Sequence, residues 1–371
     1  MIVNQIIKQL LGWAPQGAAW EKDNIGLQVG SRNRKLKNIF LTLELTENSL
    51  DQAIKNDCNF IFTHHPLIFK PLKNLDLDQS NKNLLIQKLL KNNISLFSAH
   101  TNLDFTKDGV SFQLAKTIGL KNIRFLKNEE SNQVKIVVFV PTDSKDTVAD
   151  AIFNAGGGII GEYDKCSFNS SGVGTFRGSN FSNPVIGQKN NFEKVNEIRL
   201  EVLVNNWEIN SVVNAIKLSH PYEEPAIDIY PLKNKNANYG FGAIGELPSK
   251  LSEKLFLSHV SKKLKTKALK YCTGKNKTIS TVAVCGGSCA EMWSDAIAAG
   301  ADAFVTADIK YHTFQDAENK ILFIDAGHFE TEIVVLNKVK QKLDNFIKKQ
   351  NSDIKVIKYK GSTNPIKFYI K

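Results

Sequence analysis

The chain has 371 residues, of which 42% are hydrophobic, so it is long enough for two or three domains with buried cores. Its apolar runs are short and interrupted by charged residues, which excludes a membrane-spanning helix. The net charge of +11 is compatible with nucleic acid, but only five of the 48 basic residues are Arg, the residue that makes bidentate phosphate and base contacts. We therefore expect neither a nucleic-acid partner nor a membrane partner.

Cysteine usage and the N-terminal residues both indicate the cytoplasm. The five cysteines form no paired framework, which is typical of proteins kept in a reducing compartment. Residues 1–11 carry apolar side chains at helical spacing with a lysine among them. This pattern predicts an amphipathic helix rather than a secretory signal.

The first third of the chain alternates predicted strands and helices. Residues 23–30 are rich in Asn and Gly and predict tight turns. An apolar run at 39–45 predicts a strand, and Thr46 and Glu47 are suited to the start of the helix that follows. Such alternation predicts a largely parallel sheet with helices packed on it. Further strands are predicted at 59–63 and 94–99, and further helices at 84–90 and 110–118.

A polar linker at 128–133 separates this region from a unit with the predicted order β-α-β-β-α-β, the ferredoxin-like arrangement. A second polar linker at 233–238 ends the unit. We therefore predict a two-part α/β core, formed by 1–128 and 238–371, that is interrupted by an inserted ferredoxin-like α+β domain at 129–237. In the insert, strands are predicted at 134–140, 165–169, 173–177, 197–204 and 226–232, and helices at 146–155 and 208–218.

The α/β pattern resumes from residue 239. A strand at 281–285 leads through Gly286, Gly287 and Ser288 into a helix at 290–299. This turn could present backbone N–H groups to a phosphate, or it could simply join a strand to a helix. Later strands are predicted at 303–306, 321–325 and 354–359, with a long helix at 333–349.

Five of the seven histidines lie just beyond the carboxyl ends of four predicted strands. Ligands bind at that edge of α/β sheets. Imidazole and carboxylate together suit a divalent ion such as Zn, Fe, Mn, Ni or Co, so we predict a metal site at this edge. The residues that follow these strands are His64 and His65, then His100 and Asp104, then Asp308 and His312, and last His328 and Glu332.

The geometry of this site depends on two local conditions. Adjacent side chains of a regular strand point to opposite faces, so His64 and His65 serve one site only if the chain turns there. If His328 begins a helix, Glu332 lies one turn later on the same face. Five or six ligands exceed what one tetrahedral ion needs, so two ions about 3.5–4 Å apart are expected.

Two other motifs favour structural roles. Cys285 and Cys289 are four residues apart, but no second cysteine pair completes a zinc site, so we interpret them as structural or incidental thiols. Residues 220–225 predict a rigid turn in which His220 caps helix carbonyls. A second metal or ligand site is the alternative at that turn.

Three segments resemble signature blocks of one family, the GTP cyclohydrolase 1 type 2 homologues, also called the NIF-three-like family. The resemblance covers nearly the whole chain because weaker blocks lie near both ends and in family order. The signature segments are THHPLIF at 63–69, AHTNLD at 99–104 and GHFETE at 327–332, and the weaker ones are DNIGL at 23–27, TADIKYH at 306–312 and STNP at 362–365.

This resemblance implies a dinuclear metal centre, with His100 placed to transfer protons. The substrate-binding residues are unknown, and Asp308 and His312 are second-tier candidates. It also implies a ring-shaped homohexamer whose metal sites face an internal cavity, and it likens the insert to a PII-like or CutA-like domain. Glu44 and Cys289 differ from the usual family residues, and we expect neither to touch the metal ligands. The implied ligands are His64, His65, Asp104, His328 and Glu332.

The family name implies a hydrolase reaction in which water adds at C8 of the guanine ring of GTP, the ring opens and formate leaves. A two-metal centre suits such a hydrolysis. Two alternatives stay open: a two-metal hydrolase of a phosphoester or another nucleotide, and a non-enzymatic metal-binding regulatory or assembly protein whose insert senses a small molecule. Phosphodiester turnover without formate favours the first alternative. Absent hydrolysis, together with a ligand-dependent change in the insert, favours the second.

Overall fold

The computed structural model describes residues 1–130 and 132–369. They form two compact units, one made of Met1–Lys127 and the chain from Tyr239 onward, the other of Asn128–Asn238. Ser131, in the predicted first linker, and residues 370 and 371, at the end of the predicted third segment, lie outside the described residues. Among the residues described, no helix combines the length and apolar character needed to cross a membrane.

The chain up to residue 130 alternates strands and helices as predicted, with four added elements at 26–29, 101–104, 121–124 and 127–130. Residues 23–30, predicted as turns, contain the short strand β1, which pairs antiparallel with a neighbouring strand through its backbone groups. The elements are α1 (Val3–Trp13), β1 (Gly26–Val29), β2 (Asn38–Thr42), α2 (Glu47–Lys55), β3 (Cys58–Thr63), α3 (Asn81–Lys91), β4 (Ser95–Ser98), α4 (Thr101–Asp104), α5 (Val110–Ile118), β5 (Lys121–Arg124) and β6 (Lys127–Glu130).

The second unit has the predicted element order β-α-β-β-α-β. Its four strands form an antiparallel sheet, and apolar side chains of both helices pack on one face of that sheet. The two short strands predicted at 165–169 and 173–177 are one continuous strand at 167–177, because its whole length pairs with the strand at 192–205. The elements are β7 (Gln133–Pro141), α6 (Lys145–Asn154), β8 (Ser167–Arg177), β9 (Phe192–Asn205), α7 (Ile209–Ser219) and β10 (Ile227–Pro231).

The remaining chain completes the first unit. The strands at 243–252 and 270–272 and the helix at 311–317 were not predicted from the sequence, and the predicted helix at 290–299 is a 3₁₀ turn followed by a short helix at 293–298. The elements are β11 (Lys235–Phe241), β12 (Ala243–Ser252), α8 (Glu253–Leu264), β13 (Lys270–Cys272), β14 (Thr278–Val284), α9 (Trp293–Ala298), β15 (Ala303–Thr306), α10 (Tyr311–Ala317), β16 (Leu322–Asp325), α11 (His328–Glu332), α12 (Val335–Lys349) and β17 (Val356–Lys358).

The first sheet of this unit has the order β1-β4-β3-β2-β17 and is parallel except at β1. Side chains on both of its faces are buried. Phe60, Phe62 and Phe97 pack with residues of α1 and α12, whereas Ile61 and Leu96 belong to the core on the other face. Burial of both faces explains why these strands are continuous apolar runs. Because β2, β3 and β4 are parallel, their carboxyl ends lie at one edge.

The second sheet has the order β13-β16-β15-β14-β12-β5 and is mixed rather than largely parallel. Its central strands β14, β15 and β16 are parallel and are joined by helical crossovers, while the other strands pair antiparallel. Parallel pairing needs a long crossover connection, and the sequence pattern had indicated such connections throughout. The carboxyl ends of the three parallel strands again share one edge.

Over the residues that the structure describes, the two predicted linkers are not wholly irregular. Residues of both linkers form the strands β6 and β11, which pair in a two-stranded sheet. The side-chain amide of Asn128 donates to the backbone oxygen of Asn236 at 2.9 Å. Polar composition alone had hidden this pairing, because a short strand that buries little apolar surface has no hydrophobic alternation.

Domain insertion and its PII-like character stay predictions, and a deletion tests the first of them. A protein in which residues 129–236 are removed should fold and bind metal, because each compact unit has its own apolar core. Circular dichroism and metal analysis of the purified deletion protein provide the measurement. Failure both to fold and to bind metal would contradict the insertion.

Candidate metal centre

His64 and His65 follow β3, where the chain turns. Both of their backbone N–H groups donate to the carbonyl oxygen of Leu43, at 3.0 Å each, so the alternation of a regular strand ends at Thr63. The two imidazole ring centroids are 4.9 Å apart. The turn therefore lets two adjacent histidines face one site.

His328 begins the short helix α11 and Glu332 ends it, as the spacing predicts. The side chains meet one turn apart, with 3.1 Å between His328 Nε2 and Glu332 Oε1. Gly327 precedes the helix with φ +92°, a left-handed conformation that favours glycine. Glu332 is 3% exposed, so its carboxylate is held in the interior.

The two histidines after β3 each use Nδ1 to bond away from the cluster. His64 Nδ1 donates to the carbonyl oxygen of Ala99 at 2.8 Å, and His65 Nδ1 donates to Glu44 Oε1 at 2.9 Å. Since a carbonyl or carboxylate oxygen only accepts, each Nδ1 carries the proton. Each Nε2 is then left as a lone-pair donor, the arrangement that metal-binding histidines use.

The histidines from β4 and β16 are held in the same way. His328 Nδ1 donates to Asp308 Oδ2 at 2.6 Å, and His100 Nδ1 donates to Asp23 Oδ2 at 2.9 Å. Asp23 also accepts from the backbone N–H and hydroxyl of Thr101. Burial alone would raise the pKa of Asp23, but these hydrogen bonds outweigh it and lower the pKa to about 2.

The Nε2 atoms converge on the two carboxylates. His65 Nε2 lies 3.1 Å from Glu332 Oε2, and His64 Nε2 lies 3.5 Å from Asp104 Oδ1 and 3.8 Å from Glu332 Oε1. The Nε2 atoms of His65 and His328 face each other at 3.4 Å. The structure thus brings together all five predicted ligands, although their role as ligands stays a prediction.

These donors fit a divalent metal. Nitrogen lone pairs and carboxylate oxygens repel one another at such distances unless a proton or a cation lies among them. Among the described residues, His64 Nε2 and Asp104 Oδ1 are buried without a hydrogen-bond partner, which is costly for a polar atom. An ion bound by imidazole nitrogen and carboxylate oxygen would satisfy both atoms.

In the metal-free protein, protons compensate the carboxylate charge. Hydrogen bonding to Glu332 raises the pKa of His328 to about 9. Burial alone would lower the pKa of His65, but hydrogen bonds to Glu332 and Glu44 raise it to about 10. Burial lowers the pKa of His64, so that ring stays neutral. Burial and the Glu332 carboxylate raise the pKa of Asp104.

Metal binding should therefore release protons. A pH of 7.5 is below the raised pKa values of His65 and His328, so both imidazoles are protonated and each must lose a proton to bind an ion. The apparent affinity for the metal should therefore rise as the pH increases toward 9–10. Calorimetric titration of Zn²⁺ in buffers of different ionisation enthalpy measures the proton count. A His312→Ala variant should release the same number. Equal heats in all buffers would contradict the prediction.

The structure places Asp308 beside the cluster and His312 away from it, although both are second-tier candidates for substrate binding. Asp308 has φ +54° just after β15, and its carboxylate bonds to His328 rather than standing free for substrate. His312 is exposed, and its Nδ1 contacts Gln315 at 3.1 Å on its own helix α10. Of the five histidines after strand ends, His312 is thus the one that the structure does not bring into the cluster.

The expectation that Glu44 does not touch the ligands is wrong, because its Oε1 accepts the hydrogen bond of His65 Nδ1. The other Glu44 oxygen accepts from the hydroxyl of Thr363, which lies in the block at 362–365. Glu44 therefore orients His65, and the C-terminal segment orients Glu44. Sequence reasoning missed this role and that of Asp23, although both residues stand in or beside segments already singled out.

The glycine turn after β14 supports the cluster rather than a phosphate. The backbone N–H of Gly286 donates to the Ser111 hydroxyl at 3.4 Å, and that of Gly287 donates to Thr331 Oγ1 at 3.0 Å. Two of the donors that a phosphate would need are thus occupied. A Cβ atom on Gly287 would lie 2.2 Å from Glu332 Oε1, so the glycine leaves room for that carboxylate.

All five cysteines are free thiols, and Cys285 and Cys289 line the cavity beside the cluster.

His220 is at a turn, as predicted, but its Nε2 donates to the carbonyl of Phe139 on β7 rather than to a helix carbonyl, at 2.9 Å. Its Nδ1 accepts from the backbone N–H of Tyr222. Both ring nitrogens are thereby used within the second unit.

The fold and the site define an α/β protein with imidazoles and carboxylates gathered at the strand ends. Many unrelated metalloproteins share this description, so comparison with known proteins is needed to identify the family. The family model Duf34/NIF3 (NGG1p interacting factor 3) matches residues 1–365, and this chain belongs to that family. A protein of Halalkalibacterium halodurans named GTP cyclohydrolase 1 type 2 homolog is 36% identical over 365 residues, 98% of each chain.

Two further proteins show the same relationship. A Bacillus subtilis protein of the same name is 35% identical over 366 residues, again covering 98% of each chain. The crystal structure of a Bacillus cereus protein related to NIF3 superposes with a TM-score of 0.84 at 34% identity, covering 100% of this chain and 99% of that one. The NIF3 fold predicted from the signature segments is confirmed.

Proposed function

We propose that this protein is a dinuclear metal-dependent hydrolase that opens the guanine ring of GTP and releases formate. The observation that carries the proposal is the convergence of the Nε2 atoms of His64, His65 and His328 on the Glu332 carboxylate. The name of the relatives, GTP cyclohydrolase 1 type 2 homolog, supports GTP as the substrate.

The arrangement of donors supports two ions rather than one. Two groups of three residues each have ligand atoms within 4.8 Å of one another, His64 with His65 and His100, and His65 with His328 and Glu332. Glu332 directs one oxygen toward His65 and the other toward His328, so both of its oxygens would be available to hold ions. Bound Zn, Fe, Mn, Ni or Co would acidify water and polarise the substrate.

His100 is suited to move a proton. Asp23, with its pKa near 2, remains ionised and holds the proton on Nδ1 of His100, which leaves Nε2 as the acceptor. The ring centroid of His100 lies 5.3 Å from that of His64 and 5.4 Å from that of His65. A proton taken at Nε2 could therefore be passed to a leaving group beside the cluster.

A cavity of about 410 Å³ next to the cluster offers room for a planar base. Its lining includes His100 and Asp104 together with Trp20, Phe105 and Phe241. Phe105 stands edge to face against both other rings, with centroids 5.4 Å apart for Trp20 and Phe105 and 4.6 Å apart for Phe105 and Phe241. Trp20 is 59% exposed, so its ring can stack on a purine.

Formate release from GTP tests the proposal. Metal-reconstituted wild-type protein should release formate, and Asp104→Ala should lose both metal and formate while keeping its circular dichroism spectrum. Counting metal in each sample separates loss of the site from loss of the chemistry. No formate from fully metallated wild type would overturn cyclohydrolase activity, and turnover of bis(p-nitrophenyl) phosphate would then favour the phosphoester hydrolase.

A second variant distinguishes the two uses of His100, which lies within reach of the ions as well as of the cavity. His100→Gln should retain its metal and lose formate release if the ring transfers protons. Loss of metal from His100→Gln would instead make it a ligand.

We also propose the homohexamer. Light scattering should give about six times the chain mass of 41.4 kDa, and the mass of a monomer or dimer would contradict it.

A further inference from the structure

We propose that the second unit carries a binding site for an organic cation, an amine attached to a flat apolar body. The site is a cavity of about 570 Å³, within the range of small-molecule pockets. Every residue that lines it belongs to this unit. The site is therefore independent of the proposed hydrolysis.

The cavity lies on the face of the sheet that the helices leave open. Leu200 and Val202 of β9 pack with the helix residues of this unit, and side chains alternate along a strand, so Glu197 points to the other face. The chain between β8 and β9 reaches this face, and Pro184 and Ile186 line the cavity there. A sheet face, a loop and a turn thus enclose one volume.

Two buried polar groups, Glu197 and Tyr222, stand beside each other in the cavity. Glu197 is 9% exposed and has no ion-pair partner among the described residues. The Tyr222 hydroxyl is buried, and within the described chain it makes no hydrogen bond. Burial and the nearby Glu197 carboxylate raise the pKa of Tyr222, so its hydroxyl stays protonated. The hydroxyl lies beside Glu197, yet the buried carboxylate still lacks a cation, and a charged ligand donor would offset the cost of burying it.

The charge of the lining selects a cation. Three carboxylates and one basic residue, Arg177, line the cavity, although the net charge of the chain is +11. The carboxylates are those of Glu197, Glu223 and Glu224. Glu223 accepts from the backbone N–H of Asn183, so it ties the turn to the loop. Glu197 remains as the buried acceptor, and an ammonium group is the donor that matches it best.

The walls select an apolar body attached to that amine. Phe139 and Phe176 line the cavity, and the Phe176 ring stands edge to face on Tyr222 with centroids 6.0 Å apart. A flat ring between such walls buries apolar area and stacks favourably. Gly174 lies beneath Glu197, because a Cβ atom there would be 2.0 Å from Glu197 Oε2. The strand is thus shaped to admit the carboxylate.

Titration calorimetry of the full-length protein with tryptamine tests the site. Wild type should bind tryptamine saturably and should not bind indole-3-propionate, which has the same ring with a carboxylate in place of the amine. Glu197→Gln should weaken tryptamine binding at least about tenfold, since a charged hydrogen bond is lost. Asp146→Asn, the same change at a 90% exposed carboxylate on α6, should leave binding unchanged.

Two further variants keep the proposal testable if Glu197→Gln does not fold. Tyr222→Phe removes only the hydroxyl and should weaken tryptamine binding about three- to tenfold. Gly174→Ala should weaken binding without changing charge, because the carboxylate must move. Wild type that fails to bind tryptamine at millimolar concentration, or that binds the indole acid equally well, would overturn the proposal. So would a folded Glu197→Gln that binds like wild type.

Discussion

Replacing Glu332 with glutamine is expected to lower the affinity for Zn²⁺ by more than about a hundredfold while leaving the fold intact. Its oxygens lie 3.1 Å from Nε2 of both His65 and His328, and glutamine keeps the shape but loses the charge. Loss of residues that only orient ligands already costs about 10–100-fold, so loss of a central carboxylate should cost more. Competition with a chromophoric chelator measures the affinity.

The matched control for this variant is Glu330→Gln, on the same short helix. Its Oε1 accepts from the side-chain amide of Asn364 at 3.0 Å and does not face the histidines. Glu330→Gln should therefore bind Zn²⁺ like wild type. Full metal occupancy in Glu332→Gln would show that the carboxylate is not a ligand, and the dinuclear proposal would then lose its central carboxylate.

Gly287→Ala is expected to damage both stability and metal binding. Gly287 has φ +69°, where an L-residue costs about 1–2 kcal/mol. The added Cβ atom would also lie 2.2 Å from Glu332 Oε1 and 3.4 Å from His328 Nε2, so the carboxylate must shift away from the cluster. Urea denaturation and chelator competition give the free energy of unfolding and the metal affinity of the same sample.

Gly300→Ala separates the two effects of that substitution. Gly300 also has a positive φ, +82°, but a Cβ atom there meets nothing within 4 Å. This variant should lose a similar amount of stability and keep the metal affinity of wild type. If Gly287→Ala binds metal as well as Gly300→Ala does, the close approach to Glu332 has no consequence for the centre.

Several parts of the candidate centre could be predicted from local pattern. The strand before His64 is a continuous apolar run, and the four-residue spacing in the GHFETE segment places His328 and Glu332 one helical turn apart. The parallel arrangement of β2, β3 and β4 follows from alternating strands and helices, and it brings His64, His65 and His100 to one edge. These features depend on residues close together in the chain.

The wrong predictions for Glu44, His312 and the two linkers all concern contacts between residues that the local sequence pattern does not determine. Glu44 was judged remote from the ligands, and His312 was grouped with the other histidines because it also follows a strand. Whether a side chain beyond a strand end turns toward the site depends on the loop, and Asp308 with φ +54° redirects the chain before His312. The polar strands β6 and β11 were predicted as linkers because their pairing is non-local and leaves no apolar alternation.

The sequence by itself determined the alternation of elements and the family, and it indicated the residues that we propose for the chemistry, because periodicity and short motifs are local properties. Only the tertiary structure decided which oxygen accepts each imidazole proton. Glu44 bonds to His65 and Asp23 to His100 across 21 and 77 residues of chain, respectively. The proton positions leave Nε2 lone pairs facing two carboxylates, and that arrangement exists only when both sheets bring their strand ends together.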